Sequence, residues 1–244
     1  DDYEKDSQRD FTLLKRSTIS ELKKGIYFKT RWGNVRPSWH LECAATAMKY
    51  IGETFDIHAS GADVIFPHCE NVMAIGRGTT GKRPANYWLH TELVLTEGTK
   101  MSRSVGNAVT LEELEQRGYR DREIRFFLMG SHYRKPLRFS LGALETAKNT
   151  VKRLDGFVQR LIRFRPGGGY PDTDQLIYDV KQDFARAMDD DFNTSGALAA
   201  LFGFVRRVGL PLAEGQLGKS ERDRILDTLR GLDSVLGVMN FEEK

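Results

Sequence analysis

The chain has 244 residues, with 37 Lys and Arg against 34 Asp and Glu, a formal net charge of +3, and 40% hydrophobic and 29% charged residues. That balance excludes a collagen-like, low-complexity or wholly disordered chain. Two cysteines, Cys43 and Cys69, are too few for a scaffold held together by bridges. The length suits one large domain or two modest ones, with a core that needs no covalent staple. Residue 1 is Asp rather than Met, so the numbering starts somewhere other than an initiator. The opening DDYEKDSQRD is charged and unlike a signal peptide. No stretch approaches the roughly 20 apolar residues that cross a bilayer. These features predict a reducing, cytoplasmic setting and no membrane partner. The basic clusters at Lys23-Lys24, Arg77 to Arg83, Arg117 to Arg125, Arg160 to Arg165 and Arg206-Arg207 read first as solvated surface.

In chain order, His40 to Gly52 predicts a helix. Leu41, Ala44, Ala45, Met48 and Ile51 share one face, and Gly52 stands where a C-terminal cap belongs. Phe55 to Phe66 reads as a strand, a turn at Ser60-Gly61 and more extended chain. A helix follows from Glu70 after Pro67. Tyr87 to Gly98 alternates and predicts strands closing in a turn at Glu97-Gly98. Short strands mixed with helices indicate an α/β layer.

Near residue 140 the chain changes character. Ser140 is a natural N-cap for a helix to Phe164, with Leu141, Leu144, Ala147, Val151, Leu154, Val158, Leu161 and Ile162 on one stripe. Pro166 to Pro171, PGGGYP, must break it. Helical patterns follow over residues 173–188, 193–208 and 220–238, with Asp189-Asp190-Asp191 at a joint. The expected division is residues 1–139 as α/β and 140–244 as an α-helical bundle.

Two groups of residues bear on chemistry. Lys100 to Ser104 reads KMSRS and follows a strand and turn. Two cations and two hydroxyls on a short loop before a helix suit a phosphate clamp, because the cations offset charge that builds up on a transferring phosphate. Cys43 and His68 belong to the residue types that bind zinc, yet no CxxC or HxxxH pair is present, and each alone is equally a structural residue.

These peptides resemble a known family. KMSRS is similar to the KMSKS signature of class I aminoacyl-tRNA synthetases, with Arg103 in place of the second lysine. RPSWHLEC (Arg36 to Cys43), SGADVIFPHCEN (Ser60 to Asn71), YWLH (Tyr87 to His90), IRFFLMGSHYRKPLRFS (Ile124 to Ser140) and AMDDDFNTSGALAALF (Ala187 to Phe202) resemble segments of cysteinyl-tRNA synthetases. The resemblance covers nearly the whole chain. It implies the second half of a Rossmann-like nucleotide-binding fold followed by an α-helical domain. It also implies activation of cysteine by ATP, with magnesium, to cysteinyl-adenylate and transfer to tRNA(Cys). By the same resemblance, Lys100 and Arg103 are catalytic. Gly61, Asp63, Lys100, Met101, Ser102, Arg103 and Ser104 bind ATP, and Trp39 and His40 meet the substrate cysteine. Cys43 and His68 match ligands of a zinc that selects the substrate thiolate, with Cys69 as a further donor.

The sequence departs from the family pattern at several points. The HIGH signature and the family's N-terminal cysteine ligand do not occur in these 244 residues. The glutamate ligand that should follow FPHHEN is Val72, and the second histidine of that motif is Cys69. The resemblance therefore leaves two dependable zinc donors, short of the usual four. A missing N-terminal segment or subunit becomes an expected partner. Two other readings stay open: a cysteine ligase of the mycothiol-biosynthesis type, and a non-catalytic synthetase-like protein that binds tRNA or a partner.

Overall fold

The computed structural model describes residues 6, 7, 9–165 and 167–242. Internal contacts gather the chain into two units, residues 1–92 and 93–244. The change to helical sequence at residue 140 falls inside the second.

The first unit begins with a small antiparallel sheet. Strands β1 (Leu14–Arg16) and β2 (Phe28–Thr30) both pair with β3 (Gly33–Pro37), in the order β1–β3–β2. Helix α1 (Ile19–Lys23) lies between β1 and β2. It starts at a capping box in which Thr18 and Glu21 satisfy each other's backbone N–H groups. These strands are three to five residues long, too short for alternation to stand out in the sequence.

Helix α2 (Trp39–Tyr50) starts at Ser38, whose side chain accepts the Leu41 N–H. Of the predicted apolar face, Ala44 is buried and Leu41 and Met48 are half-buried, whereas Ala45 and Ile51 are exposed. The helix is covered on a narrow stripe only. Ala44 packs there against Val72 and Ile75, with Leu41, Cys43, Met48 and Trp88 around them.

Strand β4 (Phe55–Gly61) runs straight through Ser60-Gly61, where a turn was expected. It is held by parallel pairing with β5 (Ala85–Thr91), from Phe55 opposite Ala85 to Gly61 opposite Thr91. The chain after Gly61 is not extended either. A 3-10 turn (Ala62–Val64) and a wide helical turn (Ile65–Cys69), with a cis Phe66–Pro67 bond, lead into helix α3 (Glu70–Thr80). Two parallel neighbours need such a crossover, and α3 supplies it.

The second unit opens with strands β6 (Val94–Thr96) and β7 (Thr99–Lys100). They form a hairpin whose turn residues, Glu97 (φ 53°) and Gly98 (φ 80°), are both left-handed, as a tight hairpin turn requires. Helices α4 (Leu111–Gln116) and α5 (Asp121–Met129) follow, and strand β8 (Leu137–Phe139) returns parallel to β6. The bundle consists of α6 (Leu141–Arg163), α7 (Thr173–Asp189), α8 (Thr194–Ala213) and α9 (Lys219–Leu236).

Ser140 caps α6 as expected, its Oγ accepting the Ala143 N–H at 3.1 Å. The predicted stripe is buried from Leu144 to Leu161 and gains Phe157, while Leu141 is exposed. Helix α8 outlasts its predicted end at Val208 and contains Pro211, buried in its last turn, where proline removes the one N–H bond that would reach back to the Arg207 carbonyl. Its 20 residues are long and apolar enough to cross a membrane, contrary to the sequence expectation. Leu198, Leu201, Phe204 and Val208 of this helix are instead buried in the bundle core with Val180, Phe184, Ile225 and Leu229. Pro166, the first residue of the predicted breaker, lies outside the described residues. After it the backbone runs so close to the α8–α9 connection that a Cβ on Gly168 would sit 3.0 Å from the Gln216 carbonyl oxygen.

Two ion pairs tie α5 and the loop after it to the bundle. Arg122 donates to both carboxylate oxygens of Asp155, at 2.9 and 3.1 Å, and to the Val238 carbonyl at 3.0 Å. Asp191, in a left-handed conformation at the α7–α8 joint, accepts from the Tyr133 hydroxyl at 2.5 Å and from the Arg134 guanidinium. The Arg134 hydrogen bond, then that of Tyr133, holds the Asp191 carboxyl below its ordinary pKa. Arg122→Ala strips a partly buried carboxylate of its bidentate partner and should cost about 2 kcal/mol. The expected readout is a lower urea midpoint with an unchanged m-value.

Candidate functional site

In the first unit the pairing of β4 with β5 sets side chains against each other. His58 lies opposite Trp88 and their rings stack at 4.3 Å between centroids. Ser60 lies opposite His90, and its Oγ is 2.9 Å from His90 Nδ1. The same hydroxyl is 3.2 Å from Cys69 Sγ. Beyond the strand end, Gly61 makes room for Asp63: a Cβ there would collide with the Asp63 carboxylate. Gly61 ends β4 and Asp63 lies in the turn that follows, at the carboxyl end of a parallel strand, the edge at which open α/β sheets take ligands.

The start of α2 completes the cluster. Trp39 stacks flat on His68, with centroids 3.8 Å apart and an 11° interplanar angle. His40 Nδ1 is 2.9 Å from His68 Nδ1, so one ring donates and the other accepts. Burial is the main force that holds His68 below its ordinary pKa, aided by the neighbouring His40 and His58; burial, then Lys15, does the same to His40. Both imidazoles are therefore held towards their neutral forms. Burial, then the Glu42 charge, pushes the Cys43 thiol up, against a hydrogen bond from Trp39 that favours the thiolate.

The structure thus brings Trp39, His40 and His68 into direct contact. It turns Cys69 towards Ser60, whose hydroxyl also meets His90. Cys43, His68 and Cys69 do not converge on one point: among the described residues no group of three or more His, Cys, Asp or Glu side chains is placed to hold a metal ion. Val72 is 1% exposed and lies in the apolar cluster between α2 and α3.

In the second unit, Lys100 ends β7 and residues 101–110 form an open loop. Asn107 pins it from both sides. Its Oδ1 accepts the Ser102 N–H at 2.8 Å and its Nδ2 donates to the Lys100 carbonyl at 3.1 Å. Ser102 Oγ accepts the Val105 N–H at 3.3 Å and lies 3.1 Å from Ser104 Oγ. Met101 N–H donates to the Val94 carbonyl at 2.8 Å, which anchors the loop to β6. Lys100, Arg103 and Ser104 are exposed, while Met101 and Ser102 are half-buried. The loop leads into a helix as expected: α4 begins at Leu111, behind its N-cap Thr110, once residues 105–110 have followed the KMSRS stretch. Ser60, His90 and Asn107 are participants that motif reading passes over. The first two become visible only through the β4–β5 register.

Comparisons with known proteins agree with this arrangement. The family model for the class I (C) tRNA synthetase catalytic domain matches residues 1–149, and the DALR domain model matches residues 183–240. A protein named cysteine–tRNA ligase from Protochlamydia amoebophila is 38% identical over 244 residues, all of this chain and 51% of the relative. Its namesakes from Chlamydia pneumoniae (39% over 241 residues, 98% of this chain and 51% of theirs) and Methanosarcina acetivorans (38% over 244 residues, 98% and 51%) are similar. The chain thus spans about half the length of the curated relatives it matches. Among solved structures, the leucyl enzyme of Agrobacterium radiobacter K84, in a ternary complex with tRNA, matches 92% of this chain and 35% of its own with a TM-score of 0.60 at 14% identity, a likeness of fold. With its α/β part, its helical bundle and a family match over most of its length, the chain belongs to the class I (C) tRNA synthetase catalytic-domain family.

Proposed function

We propose that this chain forms part of a cysteinyl-tRNA synthetase. ATP and cysteine give cysteinyl-adenylate and pyrophosphate, and the cysteinyl group then passes to the terminal ribose of tRNA(Cys). The observation that carries this reading is the intact KMSRS loop, pre-shaped by Asn107, in a chain that aligns end to end with proteins named cysteine–tRNA ligase. The chain covers about half the length of those relatives, and the reaction is proposed for the whole protein. A cytoplasmic location goes with this role.

The residues have separable tasks. Lys100 and Arg103 offset negative charge on the phosphates as the α-phosphorus changes partners, with magnesium accompanying ATP. Met101, Ser102 and Ser104 shape the loop around them. Asp63 accepts hydrogen bonds from ribose hydroxyls beside the bare backbone of Gly61. Trp39, stacked on His68, forms with His40 the wall for the cysteine side chain. The step is a displacement helped by position and charge, and needs no covalent enzyme intermediate.

The zinc that the family resemblance implies does not fit the residues present. A carboxylate ligand is replaced by Val72 in an apolar cluster. Cys69 faces Ser60 instead.

Cysteine-dependent ATP–pyrophosphate exchange tests the proposal, measured with the chain alone and with the N-terminal half of the Protochlamydia relative added. Arg103→Ala should slow exchange about 100-fold while cysteine affinity changes little, because the loop acts on charge that develops in the transition state. Equal loss of rate and affinity, or exchange that ignores cysteine, contradicts it. Metal analysis of the purified chain should find well under one zinc per chain. One zinc per chain that survives dialysis against a chelator overturns the reading of the Val72 position.

A further inference from the structure

The KMSRS loop takes its shape from a side chain that lies outside the motif. Asn107 Oδ1 accepts the Ser102 N–H at 2.8 Å, and its Nδ2 donates to the Lys100 carbonyl at 3.1 Å. In an extended strand, the carbonyl of one residue and the N–H two residues on point to the same side, towards one neighbouring strand. A carboxamide carries an acceptor and a donor close together, as a peptide group does. Asn107 therefore stands in for a neighbouring strand beside Lys100 and Ser102. The opposite edge meets a real strand. Lys100 lies across from Leu95 of β6, and the Met101 N–H donates to the Val94 carbonyl at 2.8 Å. Residues 100–102 are thus held from both sides.

Past Ser102 the chain turns back on itself. The Gly106 N–H donates to the Arg103 carbonyl at 3.1 Å and the Val105 N–H to Ser102 Oγ at 3.3 Å. Gly106 takes a φ of +77°, which an L side chain would strain. This turn delivers Asn107 to the edge of the strand that it closes. The bonds run through backbone groups and the Ser102 and Asn107 side chains, while the exposed Lys100 and Arg103 stand at either end of the clasped stretch.

We propose that Asn107 is a positioning residue for adenylate formation: its carboxamide fixes the Lys100–Ser102 backbone as a strand edge before ATP binds, and so sets where Lys100 and Arg103 meet the phosphates. The proposal rests on the synthetase reading above. Charge that develops on a phosphate is stabilised most by cations that need not reorganise. A loop that has to be ordered during the reaction loses part of that gain. The residue type follows from the two bonds. Aspartate keeps the acceptor for Ser102 but turns an oxygen, in place of a donor, towards the Lys100 carbonyl. Alanine loses both bonds. Glutamine keeps both groups on a stem one methylene longer.

Two measurements on the 244-residue chain test the proposal: amide hydrogen exchange, which needs no catalysis, and ATP–pyrophosphate exchange with the N-terminal half of the Protochlamydia relative added. In Asn107→Ala the Ser102 amide should exchange about 10-fold faster, the worth of one hydrogen bond, while the Met101 amide, held by β6, changes little. Asn107→Asp should keep the Ser102 amide protected, because a carboxylate still accepts its N–H. In the pyrophosphate assay both variants should lower kcat about 10-fold with KM for cysteine unchanged, and Asn107→Gln should recover part of the rate. A Ser102 amide as well protected in Asn107→Ala as in the unaltered chain overturns the proposal. So does a loss of rate carried wholly by KM. Cysteine-dependent exchange that Asn107→Ala leaves intact overturns the role of Asn107 and keeps the synthetase reading. No exchange by the unaltered protein overturns the synthetase reading itself, with Ser102 protection still reporting whether Asn107 shapes the loop.

Discussion

Parallel strands fix the spacing of their side chains more firmly than any loop can, because every residue is tied to a neighbour across the ladder. In this protein the β4–β5 ladder plays that role. It sets Ser60 beside His90 and His58 beside Trp88, and carries Gly61 to the strand end where Asp63 folds back. The crossover between these strands then returns His68 and Cys69 to the same edge, where α2 meets them with Trp39 and His40. One short ladder therefore determines which donors touch and which are kept apart.

The same ladder explains the limits of reading the chain as a string. Ser60-Gly61 has the composition of a turn and is strand, because pairing with β5 outweighs the local preference of glycine. Long helices were legible because their periods repeat: α6 begins at Ser140 and buries its stripe as predicted, and Phe157 joins it only because neighbouring helices cover a wider arc than one stripe. Helix α2 failed in the opposite sense. It is covered along a narrow line, so Ala45 and Ile51 stay in water. The strands around Trp32, three and five residues long, carried no periodic signal at all. Of the site, the KMSRS loop was legible as a motif and Trp39, His40 and His68 were named one by one, whereas their ring contacts with one another were not. Asn107, Ser60 and His90 act through hydrogen bonds across the chain, and nothing in their local sequence announces them.

Val72 shows how one side chain redefines a pocket. A carboxylate there would need a cation or several donors to offset its burial. An isopropyl group needs only neighbours, and finds them in Ala44 and Ile75. The cluster around it is an apolar layer between α2 and α3, beside the imidazoles of His40 and His68, whose pKa values burial lowers.

The division of the chain between Glu92 and Leu93 carries a mechanical meaning. Strand β6, one residue beyond that division, anchors the KMSRS loop through Met101 and pairs with β8, which flows through Ser140 into α6. The Tyr133 and Arg134 side chains, just before β8, are bolted to Asp191 at the far end of α7. The loop is thus tied, through β6, β8 and Ser140, to the helix that begins the bundle.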